Sequence, residues 1–177
     1  MSINANNILI IGLGMIGSSI ALACKSKGIN VKGFDLDKSV YEDALKNNVI
    51  DESVEFFENI NSLEFVSDID LIVIAVPPKQ TLDVINKLDL IWNTKTTITD
   101  TSSVKNHIKL ANVNNIVLSH PIAGSDKSGL SAADLNLFNN KKNVICNPFN
   151  VDQMHLDRIE SFWSGALNMK ISYMSVS

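Results

Sequence analysis

A glycine-rich sequence near the N-terminus carries the clearest chemical signal in the chain. The sequence GLGMIG has the spacing GxGxxG, follows a short apolar run and opens an amphipathic stretch. In such a loop the first glycine permits a tight turn, the second lets the backbone approach a diphosphate, and the third lets the helix pack on the strand. The N–H groups at the start of the helix would then bind the diphosphate. The residues predicted to bind a dinucleotide in this way are Gly12, Leu13, Gly14, Met15, Ile16 and Gly17.

An acidic residue stands where the second predicted strand ends. Asp35 follows the glycine motif by roughly 20 residues, the position at which a carboxylate accepts hydrogen bonds from the adenosine ribose. The same charge would repel a 2′-phosphate, and no arginine follows nearby to bind one, so the sequence favours NAD over NADP. The alternative is a solvated acid in a turn, because Asp37 lies beside it.

Three later strands are also predicted to end in residues that suit a binding site. Val76 and Pro77 follow one strand, the sequence DTSSVK follows the next, and SHPIAGS follows the third. Ligands of open α/β sheets lie at the carboxyl ends of the strands, so these ends are expected to meet around the nicotinamide. Val76 and Pro77 are therefore predicted to contact the cofactor.

His120 is the strongest candidate for proton transfer. A neutral imidazole titrates near pH ~6.5 and can accept a proton at physiological pH, and Pro121 stiffens the loop around it. A histidine satisfied by backbone contacts is the alternative. Ser103 could hydrogen-bond beside His120 or could cap the helix that follows it. Asp100 and Lys105 could pair with each other or cap the loop, and no chemistry is assigned to them; the two other histidines, His107 and His155, are expected to be structural.

The elements that position these residues alternate between short apolar runs and longer amphipathic stretches, which predicts an α/β Rossmann-type fold with a doubly wound, mostly parallel sheet. Strands are predicted at Asn7–Ile11, Val31–Asp35, Leu71–Val76, Thr97–Asp100, Ile116–Ser119, Asn143–Cys146 and Met169–Tyr173. Helices are predicted at Met15–Lys27, Lys38–Asn47, Gln80–Leu88, Ser103–Ala111 and Asp152–Gly165. The segment Gly124–Lys142 is expected to be a loop with one helical turn. No linker divides the chain, so residues 1–173 are predicted to form one domain.

Composition excludes several other classes of function. The net charge is −4 and no basic cluster occurs, which argues against nucleic acid or an anionic membrane as partner. Cys24 and Cys146 are far apart and suggest buried thiols in a reducing compartment. Histidines, cysteines and acids lack the spacing of metal ligands, so no metal is expected. No signal peptide or spanning segment is recognised, which points to the cytoplasm.

Taken together, GLGMIGSS, Asp35, AVPP, DTSSVK and SHPIAGSDKSG resemble prephenate and arogenate dehydrogenases, in the same order along nearly the whole chain. The first two elements occur in most Rossmann dehydrogenases, whereas DxxSxK and HPxAG are more specific. The resemblance implies an NAD-dependent oxidoreductase of tyrosine biosynthesis that converts prephenate to 4-hydroxyphenylpyruvate, or arogenate to tyrosine. His120 would accept the proton of the ring hydroxyl, and Ser103 would hold that hydroxyl and orient His120.

Two departures from the family pattern bear on activity. Asp126 stands where the family usually has Glu. The family also continues into a helical domain that forms a homodimer and supplies basic groups for the substrate carboxylates. Residues 174–177 are expected to begin the connection to that domain, which is absent from this sequence, and Arg158 is the only arginine. We therefore expect the chain alone to bind NAD but to turn over prephenate poorly.

Two other hypotheses fit parts of the sequence. A Rossmann oxidoreductase of the β-hydroxyacid, imine or pyrroline-carboxylate type would share the glycine motif and the strand followed by proline, but it gives no reason for HPIAGS. A non-catalytic NAD-binding module would share the cofactor site without turnover. A panel of substrates tested with NAD separates these hypotheses.

Overall fold

A computed structural model describes residues 4–55, 57–105, 113–124, 127–146 and 151–174. Its strands form one eight-stranded sheet in the order β3-β2-β1-β4-β5-β6-β7-β8. The strands are β1 (Asn7–Ile11), β2 (Asn30–Phe34), β3 (Glu52–Ser53), β4 (Leu71–Ile74), β5 (Thr97–Asp100), β6 (Ile116–Ile122), β7 (Lys142–Cys146) and β8 (Lys170–Met174). All pairings are parallel except that between β6 and β7. The predicted doubly wound, mostly parallel sheet is therefore confirmed.

Helices connect the strands and cover both faces of the sheet. They are α1 (Met15–Lys25), α2 (Lys38–Lys46), α3 (Phe57–Ile60), α4 (Leu63–Val66), α5 (Pro78–Lys87) and α6 (Gln153–Ser161). Single 3₁₀ turns lie at Asp89–Ile91 and Leu130–Ala132, and a π-helical turn, Phe162–Ala166, continues α6. The turn at Leu130–Ala132 agrees with the single helical turn expected between β6 and β7.

Strands β1 and β4 are almost entirely apolar because both of their faces are buried. In β1, Ile8 and Ile10 pack into one hydrophobic cluster, whereas Leu9 and Ile11 pack into a second cluster on the opposite face. The sequence LIVI of β4 is likewise fully buried. A parallel sheet with helices on both sides produces this pattern, and it holds the carboxyl ends of β1, β4, β5 and β6 in fixed positions.

Strand β6 is longer than predicted. It continues from Ser119 to Ile122 because the antiparallel strand β7 pairs with it over that length, with His120 opposite Val144. Pro121 is tolerated there because β5 pairs with β6 only as far as Val117, so no ladder bond on the β5 side is lost. His120 therefore lies inside a strand rather than in a loop after it.

Other bounds also differ from the prediction. Helix α1 ends at Lys25, two residues early, and Gly28 follows with a φ of +77°. Strand β3 and the short helices α3 and α4 were not predicted. Residues 103–105 are not helical, and most of the helix predicted after them, residues 106–111, lies outside the described residues. The single domain and the connection at 174–177 stay predictions, and residues 175–177 are likewise not described.

Candidate active site

One large cavity lies at the carboxyl ends of the central strands. Its volume is about 1100 Å³. Nine residues selected from the sequence line it: Gly12, Gly14, Met15, Ile16, Asp35, Val76, Pro77, Ser103 and His120. The two glycines, Met15 and Ile16 lie in the loop before α1 and in its first turn. The residues that follow β2 and β4 come next along the wall, with one residue from the loop after β5 and one from β6. The fold therefore brings the glycine loop and the imidazole to the same space.

The three glycines of the loop have different surroundings. Gly12 has a φ of +96°, and a Cβ there would lie 2.7 Å from the carbonyl oxygen of Ala75. A Cβ on Gly17 would lie 1.9 Å from the carbonyl oxygen of Gly12, which is shorter than any real contact. A Cβ on Gly14, in contrast, would meet no atom within 4 Å. Gly12 and Gly17 are thus required by the fold, whereas Gly14 faces open space.

The start of α1 fits a diphosphate group. Gly14 is the N-cap residue of α1, so no side chain caps this helix, and the first turn of α1 has no acidic residue. A helix begun in this way presents backbone N–H groups and the positive end of its dipole to a ligand. Together with the open space at Gly14, this arrangement suits an anion that approaches the backbone closely.

Asp35 follows β2 directly and organises the glycine loop. Its Oδ2 accepts a hydrogen bond of 2.8 Å from the backbone N of Leu13, and its Oδ1 accepts one of 3.0 Å from the N of Asp37. The carboxylate is half-buried and lines the cavity. Because two carboxylate oxygens offer about four acceptor positions, the side chain can still bind a ribose diol.

Two residues of the predicted loop do not line the cavity. The side chain of Leu13 is fully buried in the core, and Gly17 is buried where α1 crosses the loop. The N–H of Leu13 is used by Asp35. These two residues lie on the core side of the loop and stabilise its conformation. Their direct contact with a cofactor stays a prediction.

The imidazole of His120 has no hydrogen-bonding partner at one nitrogen. The side chain is half-buried and lines the cavity, and its buried Nδ1 has no hydrogen bond to any residue that the structure describes. A buried polar atom of this kind is uncommon and indicates that a ligand or water completes the site. Ser103 is exposed at the same cavity but does not bond to Nδ1.

Comparison with known proteins identifies the family. The model of the nucleotide-binding domain of prephenate dehydrogenase matches residues 20–171. The chain belongs to this family. A prephenate dehydrogenase from Lactococcus lactis is 39% identical over 149 residues, which cover 78% of this chain and 40% of that protein. The resemblance inferred from the motifs is therefore confirmed.

Solved structures of related enzymes share the fold. Prephenate dehydrogenase from A. aeolicus, in complex with hydroxyphenyl propionate and NAD⁺, has a TM-score of 0.87 and 27% identity, covering 99% of this chain and 62% of that one. Arogenate dehydrogenase from Synechocystis has a TM-score of 0.83 and 25% identity, covering 96% of this chain and 59% of that one. The chain thus spans less than two thirds of the length of these relatives.

The cavity also has lining residues that the sequence did not predict. Near the end of β2, where Phe57 contacts Phe34, α3 and α5 form a further wall. Lys127, Ser128 and Gly129 also line the cavity. The residues of the further wall are Phe57, Glu58, Asn61, Asp83, Val84 and Lys87. Their place depends on how two helices pack across the strand ends, and no local pattern marks them. Ser125 and Asp126 lie outside the described residues.

Asp100 and Lys105 pair with each other, one of the two alternatives left open by the sequence. The Nζ of Lys105 lies 2.5 Å from Oδ2 of Asp100, and both side chains are buried. Burial raises the pKa of Asp100 and lowers the pKa of Lys105, while the attraction between the two charges opposes both shifts. The pair lies beside the cavity without lining it.

The remaining candidates for chemistry are structural where they can be described. The Nδ1 of His155 lies 2.8 Å from Oγ1 of Thr97 in the core, as expected for a structural histidine, and His107 is outside the described residues. Cys24 and Cys146 are free and buried. In the described part of the chain, no cluster of three or more His, Cys, Asp or Glu could hold a metal, and no helix could span a membrane.

Proposed function

We propose that this chain binds NAD and forms the cofactor half of an enzyme that oxidatively decarboxylates prephenate to 4-hydroxyphenylpyruvate. The supporting observation is the single cavity that joins the glycine loop and Asp35 to His120 and Ser103. Its volume of about 1100 Å³ lies just above the usual range for small-molecule and cofactor sites, and is large enough for a dinucleotide together with a small substrate. The A. aeolicus relative was solved with NAD⁺ and hydroxyphenyl propionate.

We propose a place in this cavity for each part of the cofactor. Gly14 and the first N–H groups of α1 would hold the diphosphate, and the carboxylate of Asp35 would hold the adenosine ribose. Val76 and Pro77, at the end of β4, would contact the nicotinamide half. Bound NAD supplies the hydride acceptor of the reaction.

His120 would act on the ring hydroxyl of the substrate. Its imidazole would accept the hydroxyl proton while the hydride departs from the same carbon, which becomes a carbonyl carbon. Loss of the ring carboxylate as carbon dioxide then makes the ring aromatic, and the new phenol oxygen requires one proton. His120 can return to this oxygen the proton that it accepted, so the reaction balances without a further acid.

Ser103 would complete the site when substrate is present. It is exposed on the same cavity as His120, and a serine hydroxyl both donates and accepts. It would bond to the substrate hydroxyl and orient the imidazole, whose Nδ1 has no partner in the described part of the chain. Hydrogen bonds in catalytic sites often tighten only in the complex with substrate.

Recognition of the substrate carboxylates requires cationic groups, and Lys127 is among the described residues that line the cavity. We propose that further basic groups come from the part of the relatives that this chain does not span, and that a homodimer forms through that part. The same part would decide between prephenate and arogenate. Two buried free thiols support a reducing, cytoplasmic location.

Binding of NAD, followed by formation of NADH with prephenate or arogenate, tests the proposal. We expect the wild-type chain to bind NAD and to form NADH slowly under single-turnover conditions. His120→Gln should retain NAD affinity and lose about 10²–10⁴-fold in rate. Hydroxyphenyl propionate, titrated into the NAD complex, provides a probe that does not depend on turnover.

Each outcome of these measurements has a clear meaning. Absence of NAD binding would overturn the proposal. Equal rates of NADH formation for the wild type and His120→Gln would show that His120 does not act in the reaction. Fast steady-state turnover by this chain alone would show that the basic groups proposed outside it are not required.

A further inference from the structure

The buried ion pair between Asp100 and Lys105 has no role in the reaction described above. Asp100 is fully buried and Lys105 is 7% exposed, and neither lines the cavity. A buried ion pair is generally no more stabilising than well-packed apolar residues of the same volume. Its stability contribution therefore does not explain why charged residues occupy this position.

The pair holds the backbone of the residue that precedes His120. Oδ1 of Asp100 accepts a hydrogen bond of 3.2 Å from the N of Ser119, and Nζ of Lys105 donates one of 2.7 Å to the carbonyl oxygen of Ser119. Both backbone polar groups of Ser119 thus bond to the ion pair. The hydroxyl of Ser119 is held separately, by Thr99 and Trp163.

The same pair holds the backbone of the residue that precedes Ser103. Oδ2 of Asp100 accepts a hydrogen bond of 3.1 Å from the N of Ser102. The hydroxyl of Ser102 in turn bonds to the backbone N and O of Val104. One carboxylate therefore fixes the segment that carries Ser103 as well as the strand that carries His120.

Strands β5 and β6 need such a connection because their ladder ends early. Their parallel pairing covers only Ile98 with Ile116 and Thr99 with Val117. Beyond Val117 the register between the two strands is no longer set by that ladder. The ion pair connects the two strands just beyond the paired residues, through its hydrogen bonds to Ser119.

We propose that Asp100 and Lys105 are positioning residues, which set the distance and orientation between Ser103 and His120 through the backbone of Ser102 and Ser119. This inference rests on the proposed roles of Ser103 and His120. It assigns no proton transfer and no ligand contact to the ion pair itself. It predicts that loss of the charged contact disorders the imidazole while the glycine loop still binds NAD.

A double variant tests this role without leaving one charge unpaired in the core. Asp100→Asn with Lys105→Met removes both charges and nearly keeps the volumes. Lys105→Arg keeps the cation and serves as the conservative variant. Lys38→Met is the matched control, because Lys38 is 69% exposed in its pair with Glu42 on α2.

The measurement is NMR of the His120 ring in the 177-residue chain, with and without NAD, together with the NAD affinity. The signal is assigned by its loss in His120→Gln. The double variant should lose the NAD-induced shift of His120. Its Kd for NAD should stay within about twofold, because none of the hydrogen bonds of the ion pair reaches the glycine loop or Asp35. Lys105→Arg should recover part of the shift, and Lys38→Met should match the wild type.

A folded double variant with a wild-type His120 response would overturn the proposal. If that variant does not fold, amide exchange in the wild type decides, because the N–H groups of Ser102 and Ser119 both donate to Asp100. A Ser102 amide that exchanges as fast as an exposed loop amide would contradict the contact, whereas marked protection supports it. If the His120 signal of the wild type does not change when NAD is added, the proposed function is refuted instead. The exchange measurement would still test the ion pair.

Discussion

Replacement of Gly14 or Gly17 by alanine separates cofactor binding from folding within a single loop. A Cβ at position 17 would lie 1.9 Å from the carbonyl oxygen of Gly12, whereas one at position 14 would meet nothing within 4 Å. We therefore expect Gly17→Ala to destabilise the fold and Gly14→Ala to affect the bound cofactor instead.

The cost of Gly17→Ala follows from the space available. Contacts under 3.0 Å essentially never occur for Cβ atoms, so α1 and the loop must separate by roughly 1 Å. The opposing atom belongs to the main chain, so no rotamer change relieves the contact. Overpacking typically costs about 1–3 kcal/mol, and we expect the upper end here. For a chain of this size, that lowers Tm by roughly 6–12 °C.

The effect of Gly14→Ala on the free protein should be small. Gly14 has a φ of −68°, which alanine adopts without strain. The reduced entropy of the unfolded chain stabilises by about 0.4–1 kcal/mol, and the poorer N-cap costs a similar amount. The methyl group, however, enters the space assigned to the diphosphate. We expect NAD affinity to fall at least about tenfold, equivalent to ~1.4 kcal/mol.

Thermal unfolding with and without NAD, combined with calorimetric titration, measures both effects. The wild type should gain stability with NAD in proportion to ln(1 + [NAD]/Kd). Gly14→Ala should unfold near the wild-type temperature without NAD and gain little from it. Wild-type NAD affinity in Gly14→Ala would refute the placement of the diphosphate, and wild-type stability in Gly17→Ala would refute the close packing of α1.

Three further outcomes follow from other parts of the structure. Asp35→Asn should weaken NAD binding about fivefold or more, because it removes a charged acceptor, and should reduce the preference for NAD over NADP; titration with both cofactors checks this, and an unchanged preference would count against the ribose contact. Lys105→Met should cost about 3–5 kcal/mol in urea unfolding by leaving Asp100 unpaired, and the double variant with Asp100→Asn should cost less; equal costs would mean that Asp100 is not charged. The pKa of His155 is lowered, mainly by burial, so the folded state favours the neutral ring. Its contribution to stability is present above the unfolded-state pKa of about 6.5 and is lost as pH falls from there toward the lower folded-state pKa. Tm should decline over that window in the wild type and decline less in His155→Gln; parallel curves would contradict this.

Much of the fold was predictable because buried parallel strands leave a local record. The runs ILII in β1 and LIVI in β4 are apolar at every position, and the glycine spacing marks the turn between β1 and α1. Asp35 and His120 were found because each stands in a motif next to such a strand. These signals depend on residues close together in the chain.

The parts that were missed depend on contacts between distant residues. The end of β6 is set by its antiparallel partner β7, so the sequence around Pro121 predicted a loop where a strand continues. The wall formed by α3 and α5 near the end of β2 has no local pattern. The ion pair between Asp100 and Lys105 could be named from its spacing, but its bonds to Ser119 required the register of β5 and β6.

A crystal structure of this chain with NAD is the most direct test of the account. We expect the diphosphate to lie against Gly14 and α1, the adenosine ribose on Asp35, and the nicotinamide ring within contact distance of the His120 imidazole. A cofactor bound with its nicotinamide turned away from His120, or bound outside the cavity at the strand ends, would contradict it.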